Sequence, residues 1–326
     1  MRRNGLATLL LSGAFAALAA TSAVAEDYPA KPIHLVVGFP PGGPTDIVGR
    51  LIADELGKQL NQTIVIENRG GAGGIIGAGI VAKAKPDGYT LLVSVESSQT
   101  RGLALNPTLT YDQVKDFTFV RKLAKQRNLV LVHPSLPVKS IAELIAYDKA
   151  HPGELNCSGT FGTSSHIGCT LFNTLADTRI TFVNYPGGST PISDLIAGTV
   201  QVGFFTEATV AQQVSTGALR PLAIAATERS PAFPALPTVG EATGKPLDIS
   251  PWFGVVGPAG LPPEVAKVLG DALDKVSASK EFVARLETIG AVPILQSTAE
   301  SYRKDVSDEI LFWDKWAKDI KVPLAR

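Results

Sequence analysis

The sequence predicts an α/β protein built as two doubly wound domains. Three observations carry that prediction. From Ile33 onward, short β-rich runs alternate with helical patterns, the signature of βα units and mainly parallel sheets. Gly/Pro loops recur where strands end: FPPGGPTD, ENRGGAGG, SGTFGTSSH and NYPGGSTP. Two of these loops, 38–46 and 159–166, are built alike, with glycines, then a hydroxyl or Asp cap, then a helix. They lie far apart in the chain, so they belong to separate domains.

The elements follow in order. Residues 1–25 have the three parts of a secretory leader: Arg2 and Arg3, an apolar stretch, and Ala23-Val24-Ala25 before Glu26. Cleavage after Ala25 would export the protein. The run 33–39 is strand-like. The helix at 45–60 is marked by Ile47, Val48, Leu51, Ile52, Leu56 and Leu60 at helical spacing. Further strands are predicted at 63–67, 90–96, 117–121, 129–132, 155–158, 180–184, 200–205, 221–226 and 253–257. Helices are predicted at 74–84, 140–149, 165–176, 189–197, 207–216, 263–276, 279–289 and 298–317. Runs such as LVVGF and LVLVH are apolar on both faces, as fully covered parallel strands are. Pro-rich stretches near 134–137 and 231–237 read as connections. The first leads into a middle domain, and the second lies near the return crossing.

Composition excludes several classes. Hydrophobic residues make up 45% of the chain, enough for real cores. After the leader, no apolar run approaches the ~20 residues of a membrane span, so a soluble mature protein is expected. Lys and Arg number 30 and Asp and Glu 30, which argues against a nucleic-acid surface. The same balance means that any anion must be held by local hydrogen bonds and helix ends. The cysteines are Cys157 and Cys169, and neither spacing nor partners fit a zinc site. Their segments read as a strand end and the first turns of the next helix. A disulfide and two unpaired thiols are both compatible with that placement.

The loop 38–46 joins a strand to a helix N-terminus, where unpaired N–H groups and the positive end of the dipole make an anion cradle. A plain tight βα turn is the alternative. The loop lacks the Lys-Ser/Thr ending of a nucleotide P-loop. Gly77-Ala78-Gly79 with Ala82 imitates a dinucleotide fingerprint, but these glycines fall inside a helix rather than in the turn. No nucleotide cofactor is therefore expected. Gly162-Thr163-Ser164-Ser165-His166 offers hydroxyl and backbone donors together, which suits a carboxylate; redundant helix capping would use the same residues. His166 reads either as a ligand contact or as a packing residue. No nucleophile elbow and no base–acid pair is evident, which argues against a hydrolase. Trp252 reads equally as a core residue and as an aromatic wall of a cleft. Trp313 and Trp316, with Leu311 and Phe312, are expected to pack the C-terminal helix onto its own domain.

These landmarks resemble, over nearly the whole mature chain, the Bug or TctC-like extracytoplasmic solute receptors of tripartite tricarboxylate transporters. The matching segments include YPAKPIHLVVGFPPGGPTDIVGR, IVIENRGGAGGIIGA, KPDGYTLL, GTFGTSSH, FVNYPGGSTPISDLIAGTVQVGF, GALRPLAIA, FPALPTVGE and WFGVVGPAGLP. The resemblance implies a type II periplasmic-binding-protein fold with a ligand cleft between two α/β domains. Domain one would hold 26–127 and 233–326, and domain two would be the insertion 128–232. It also implies a periplasmic, monomeric receptor without cofactor or metal. Such a receptor captures a small carboxylate by domain closure and delivers it to membrane permease subunits. A sensing subunit for a membrane kinase, or an exported enzyme acting on an acid, are the rival readings.

Carried over residue by residue, Phe39, Pro40, Gly42, Gly43, Pro44, Thr45 and Asp46 would form the domain-one side of the site. Thr163, Ser164, Ser165 and His166 would form the domain-two side. The segments after 90–96 and 200–205 would set specificity, and both depart from the pattern. Many relatives carry Phe-Asp-Asn where this chain has Phe204-Phe205-Thr206. Loss of that Asp weakens the case for an amino-acid ligand, and the added Phe205 ring favours a more apolar or aromatic acid. In the stretch Glu96-Ser97-Ser98-Gln99-Thr100-Arg101, Arg101 either pairs a distal carboxylate or pairs with Glu96. Glu207 at a helix start reads as a cap.

Overall fold

The computed structural model describes residues 28–101 and 109–320. The leader expected at 1–25 and the side chain of Trp316 lie outside the described residues. Two sheets are formed. The first has the order β11-β4-β10-β3-β1-β2. Its strands are β1 (Ile33–Val37), β2 (Ile64–Asn68), β3 (Thr90–Val95), β4 (Phe117–Gln126), β10 (Trp252–Pro258) and β11 (Ala291–Pro293). The second has the order β7-β6-β8-β5-β9. It contains β5 (Asn128–Val132), β6 (Asn156–Gly159), β7 (Thr181–Asn184), β8 (Val202–Thr206) and β9 (Arg220–Ile224).

The apolar runs explain why helices cover both faces of each sheet. Along β1, Ile33, Leu35 and Val37 enter one core while Val36 enters another on the opposite face. Along β5, Val130 and Val132 face one core, and Leu129 and Leu131 face another. Helix α1 (Pro44–Leu60) lays Val48, Leu51, Ile52 and Leu56 on the first sheet. Each such buried side chain contributes roughly 1.5–3 kcal/mol. Helix α5 (Ser164–Ala176) does the same for the second sheet with Ile167 and Phe172.

The expectation of mainly parallel sheets needs correction. β1, β2 and β3 run parallel, as do β6, β7 and β8. However, β10 is antiparallel to β3 and β4, β11 to β4, and β5 to β8 and β9. The chain crossings are the cause. β4 ends at Gln126 and β5 begins at Asn128, so Arg127 alone separates the sheets. A strand that enters a sheet at the edge where its neighbours end must run against them. β5 enters this way on the outward crossing and β10 on the return.

The return crossing also lies later than the boundary read from the sequence. Val239, Leu247 and Ile249 pack in the second core. The Ile249 N–H donates to the Ala225 carbonyl at 3.2 Å. The segment after 232 therefore stays with the second sheet until Ser250-Pro251. Within it lies the short helix α8 (Val239–Thr243), which the sequence reading missed, along with α3 (Glu96–Gln99) and β11. The other helices are α2 (Ile75–Ala82), α4 (Ile141–Ala150), α6 (Thr190–Ile196), α7 (Glu207–Ser215), α9 (Pro263–Ala278), α10 (Lys280–Thr288) and α11 (Ala299–Ile320).

α11 does not pack only on its own domain. Tyr302 and Val306 enter a core of the first sheet, whereas Trp313 packs against the second. The helix thus straps the two units together. Cys157 and Cys169 are both buried and free, so the possible disulfide is not formed. Burial, together with a hydrogen bond between the two thiols, pushes Cys157 well above its ordinary range.

Candidate functional site

Two loops of matching construction approach each other where the sheets meet. The first leaves β1 and starts α1. Gly42 takes φ +81°, a conformation open to glycine, and Gly43 is extended before Pro44 begins the helix. The carboxylate of Asp46 fixes this loop. Its Oδ2 accepts from the Gly42 N–H and from Arg50 Nε, both at 2.9 Å. Its Oδ1 accepts from Asn68 Nδ2 at 2.9 Å, and the same amide group donates to the Phe39 carbonyl at 2.9 Å. These bonds hold the Asp46 carboxyl below its usual range, against the opposing effect of burial.

The second loop leaves β6 and starts α5. Gly162 takes φ +80°, and Thr163 is extended like Gly43. His166 stands where Asp46 stands: its Nδ1 accepts from the Gly162 N–H at 3.3 Å. Asn184 stands where Asn68 stands, at the end of the adjacent parallel strand, and its Oδ1 accepts from the Phe161 N–H at 2.9 Å. Ser165 Oγ accepts from the Thr160 N–H at 3.1 Å and shares a hydrogen bond with Thr163 Oγ1 at 2.8 Å. His166 is stacked on Phe161 at 4.6 Å. Burial, helped by the positive charge of Arg101, lowers its pKa to about 4, so it is neutral at pH 7.

Between the loops lies a cavity of about 330 Å³. Phe39, Pro40, Gly42, Gly43, Pro44 and Thr45 line it from one side, and Thr163, Ser164 and Ser165 from the other. First-turn N–H groups of a helix have no intrahelical partner, so each loop offers donors and the positive end of a dipole to the same space. Among the described residues that line it there is no Lys, Arg or His, and Glu96 is the one that ionises. Apolar walls are supplied by Ile47, Val95, Ile192, Ile196, Phe205 and Phe253.

Comparison with known proteins decides what this arrangement is. Residues 48–321 match the family model described as tripartite tricarboxylate transporter family receptor. The chain belongs to that family. Protein BugT of Bordetella pertussis is 35% identical over 309 residues, 94% of each chain. Among solved structures, R. palustris Rpa4515 with adipate superposes with a TM-score of 0.85 at 34% identity, covering 90% of this chain and 98% of that one. MatC from Rhodopseudomonas palustris with bound malate gives 0.82 at 33%, covering 88% and 99%. The family and fold are those of periplasmic substrate-binding receptors, with a mixed α/β architecture in two sheets. Among the described residues, no helix is long and apolar enough to cross a membrane.

Within this receptor several expected contacts are reassigned. Asp46 and His166 do not line the cavity, because their acceptor atoms turn inward to hold the loops. Ser98 is buried and donates from Oγ to the Val95 carbonyl at 3.3 Å. Arg101 is 2% exposed and ion-pairs with Glu96, which answers the alternative left open by the sequence. The guanidinium also lies 5.1 Å from the Trp313 ring. Burial pushes the Glu96 carboxyl up, and Arg101 opposes that shift. Trp252 also misses the cavity: its Nε1 donates to both Glu309 oxygens at 2.9 Å, and its ring lies under Lys122. Its neighbour Phe253 is the aromatic wall. Phe205, Thr206 and Glu96 do line the space, whereas Glu207 is hydrogen-bonded to Ser230 outside it.

The sequence reading missed Asn128, the Gly187-Gly188-Ser189 turn, and Thr209 and Gln213 on α7. The turn carried a signal, since NYPGGSTP was recognised as a strand-end loop but not placed at the site. Thr206, Thr209 and Gln213 recur at helical spacing and form a polar edge. Asn128 had no local signal, because its place is set by the crossing.

Proposed function

We propose that the chain is a periplasmic receptor that captures a small carboxylate by domain closure and hands it to the membrane permease of a tripartite transporter. The ligand is a dicarboxylate or an aromatic acid in preference to an amino acid. The leader at 1–25 exports it, and it acts as a monomer. The observation that carries this reading is the pair of matched loops, one from each sheet, facing one cavity with no cation among its described lining residues. Donors from both loops converge on a carboxylate only when the domains are together, so the ligand favours the closed form by differential binding. The apolar walls suit a carbon skeleton between polar ends. Relatives carrying adipate and malate support the carboxylate class. Catalysis is disfavoured by the site itself, since Ser165 and His166 spend their acceptors on the loop backbone.

The test is thermal melting of mature protein, refolded to remove bound ligand, against dicarboxylates, citrate, acidic amino acids and aromatic acids. Binding raises stability by about 2.7 kcal/mol at a hundredfold excess over Kd. Gly43→Asp supplies the control. A Cβ at Gly43 approaches only the Pro40 carbonyl at 3.7 Å, and φ is −82°, so the side chain fits. The new carboxylate repels the ligand, and the shift should vanish. An undiminished shift removes the loop from the site. Co-purification with the permease subunits tests delivery.

A further inference from the structure

Buried polar side chains gather where the chain crosses between the sheets. Gln126 ends β4, one residue before Arg127, and is fully buried. Its N–H donates to the Pro251 carbonyl of the return crossing at 2.8 Å. Neither Nε2 nor Oε1 of its side chain has a hydrogen-bond partner among the described residues. Gln126 is in register with Ala291 of β11, so the two side chains share one face of the first sheet. That face carries Phe253 and α1, which border the cavity. Directly before β11, Gly290 meets the second domain. A Cβ there would lie 2.6 Å from Glu207 Cβ and 3.5 Å from the Ala208 nitrogen, at φ +64°. Glu207 is 2% exposed; its Oε2 accepts from Ser230 at 2.8 Å, and its Oε1 has no partner among the described residues. Ala208 lines the cavity, so this seam between the domains borders the cleft. Buried polar atoms without partners are rare, and each carries an uncompensated desolvation penalty.

We propose that Gln126 and Glu207 form a spring at the hinge, which holds the ligand-free receptor open and lowers its affinity for every ligand by a common factor. This rests on the closure reading above and deepens it, by naming residues that oppose closing. Rotation about Arg127 and Ser250-Pro251 that widens the cleft parts Gly290 from Glu207. Water then reaches the Gln126 amide and the free Glu207 oxygen. Closing strips that water and supplies no hydrogen bond in exchange. Neither residue is among those that line the cavity, so the cost does not depend on what fills it. A receptor whose competent form is scarce binds more weakly by that fraction. Gly290 permits the opposite movement: without a side chain it lets the seam shut, and a Cβ would prop it apart.

The experiment pairs small-angle X-ray scattering of the refolded, ligand-free mature protein with calorimetric titration, using malate and adipate as probes. Gln126→Met keeps the length of the side chain and removes both polar atoms. Its ligand-free radius of gyration should fall toward the ligand-bound value of the wild type. Both probes should bind roughly tenfold more tightly, by the same factor. Gly290→Ala should do the reverse, weakening both probes by a common factor while the ligand-free protein stays as open as the wild type. Gly260→Ala, at φ +83° with nothing within 4 Å of its Cβ, shares the backbone strain and should change neither readout. Unchanged radius and affinity in Gln126→Met overturn the inference. So does a gain confined to one probe, which would make Gln126 a ligand contact. If that variant does not fold, Gly290→Ala decides, and unaltered binding refutes the seam. A wild type that binds a probe without compaction sinks the closure reading and the spring together. If neither acid binds, the carboxylate reading fails on its own; compaction of ligand-free Gln126→Met still supports the spring, and an unchanged radius still refutes it.

Discussion

His166 should make the second domain sensitive to acid. A histidine in an unfolded chain protonates near pH 6.5, whereas burial and Arg101 hold this one at about 4. Between those values the unfolded chain binds a proton that the folded chain refuses, so stability falls as pH drops through the window. From pH 7 to pH 4.5 the loss attributable to this residue is about 2.5 kcal/mol. The structural event is specific: protonated Nδ1 can no longer accept from the Gly162 N–H, and a charge forms among Phe161, Phe182 and Arg101. His166→Asn keeps a short neutral acceptor at the position equivalent to Asp46 and removes the titration. The assay is thermal melting of both proteins at pH 7 and pH 4.5, without ligand. Loss of the stacked ring lowers the variant at both pH values and cancels in the comparison. Titration of the other carboxylates is common to both proteins and cancels too. The wild type should lose more than the variant by a margin on the order of 5 °C. Equal losses would refute the claim that His166 is neutral and holds the loop.

Three further outcomes are expected. A Cβ on Gly73 would sit 3.3 Å from the Phe161 carbonyl across the cleft, at φ +66°; Gly73→Ala should therefore weaken carboxylate binding several-fold, while Gly217→Ala, at φ +76° in open space, shares the roughly 1–2 kcal/mol backbone strain without affecting binding. Trp252→Phe removes the indole donor from Glu309, which keeps Lys122 at 3.7 Å, and should lower stability by about 0.5–1.5 kcal/mol in a melt, with Kd unchanged. Arg101→Met leaves Glu96 buried without its counter-ion and should lose about 3–5 kcal/mol, and adding Glu96→Gln should recover most of that loss.

Most strands and helices were legible because their burial is written in their own residues. Val36 and Leu35 are both apolar because both faces of β1 are covered, and Val48, Leu51, Ile52 and Leu56 mark one face of α1. Strand direction is not encoded that way. β10 reads like any buried strand, and only the crossing at Ser250-Pro251 makes it run against β3. The three residues of β11 are too few to show a period, and α3 begins Glu-Ser-Ser-Gln with no apolar stripe. The site shows the same limit at single-residue scale. Trp252 and Phe253 are consecutive on β10 and so face opposite sides; a register shift of one decides which ring meets the ligand. The loops at 38–46 and 159–166 were readable as a matched pair. Sequence did not reveal that Asp46 and His166 serve the loops from behind, because a polar residue at a helix start has the same signature in either role.

That division of labour bears on how the proposed closure would be driven by a cavity that has no cation among its described lining residues. Asp46 and His166 each hold the N–H of a left-handed glycine, so the loops are ordered before ligand arrives and little entropy is lost on binding. The charge of Arg101 is taken up by Glu96, so the anion must rely on dipoles whose worth depends on orientation and on exclusion of water. Under the proposed closure, one loop alone would meet the ligand in the open form, and the second loop's hydrogen bonds would form only on closing and set the differential affinity. Moving an equilibrium from one per cent closed to ninety-nine requires about 5.5 kcal/mol. Hydrogen bonds to a charged group contribute about 1.5–3 kcal/mol each. Two to four bonds from the Ser164 hydroxyl and the unpaired N–H groups of the first turn of α5 would therefore be enough for the proposed closure, with no charged residue added to the site.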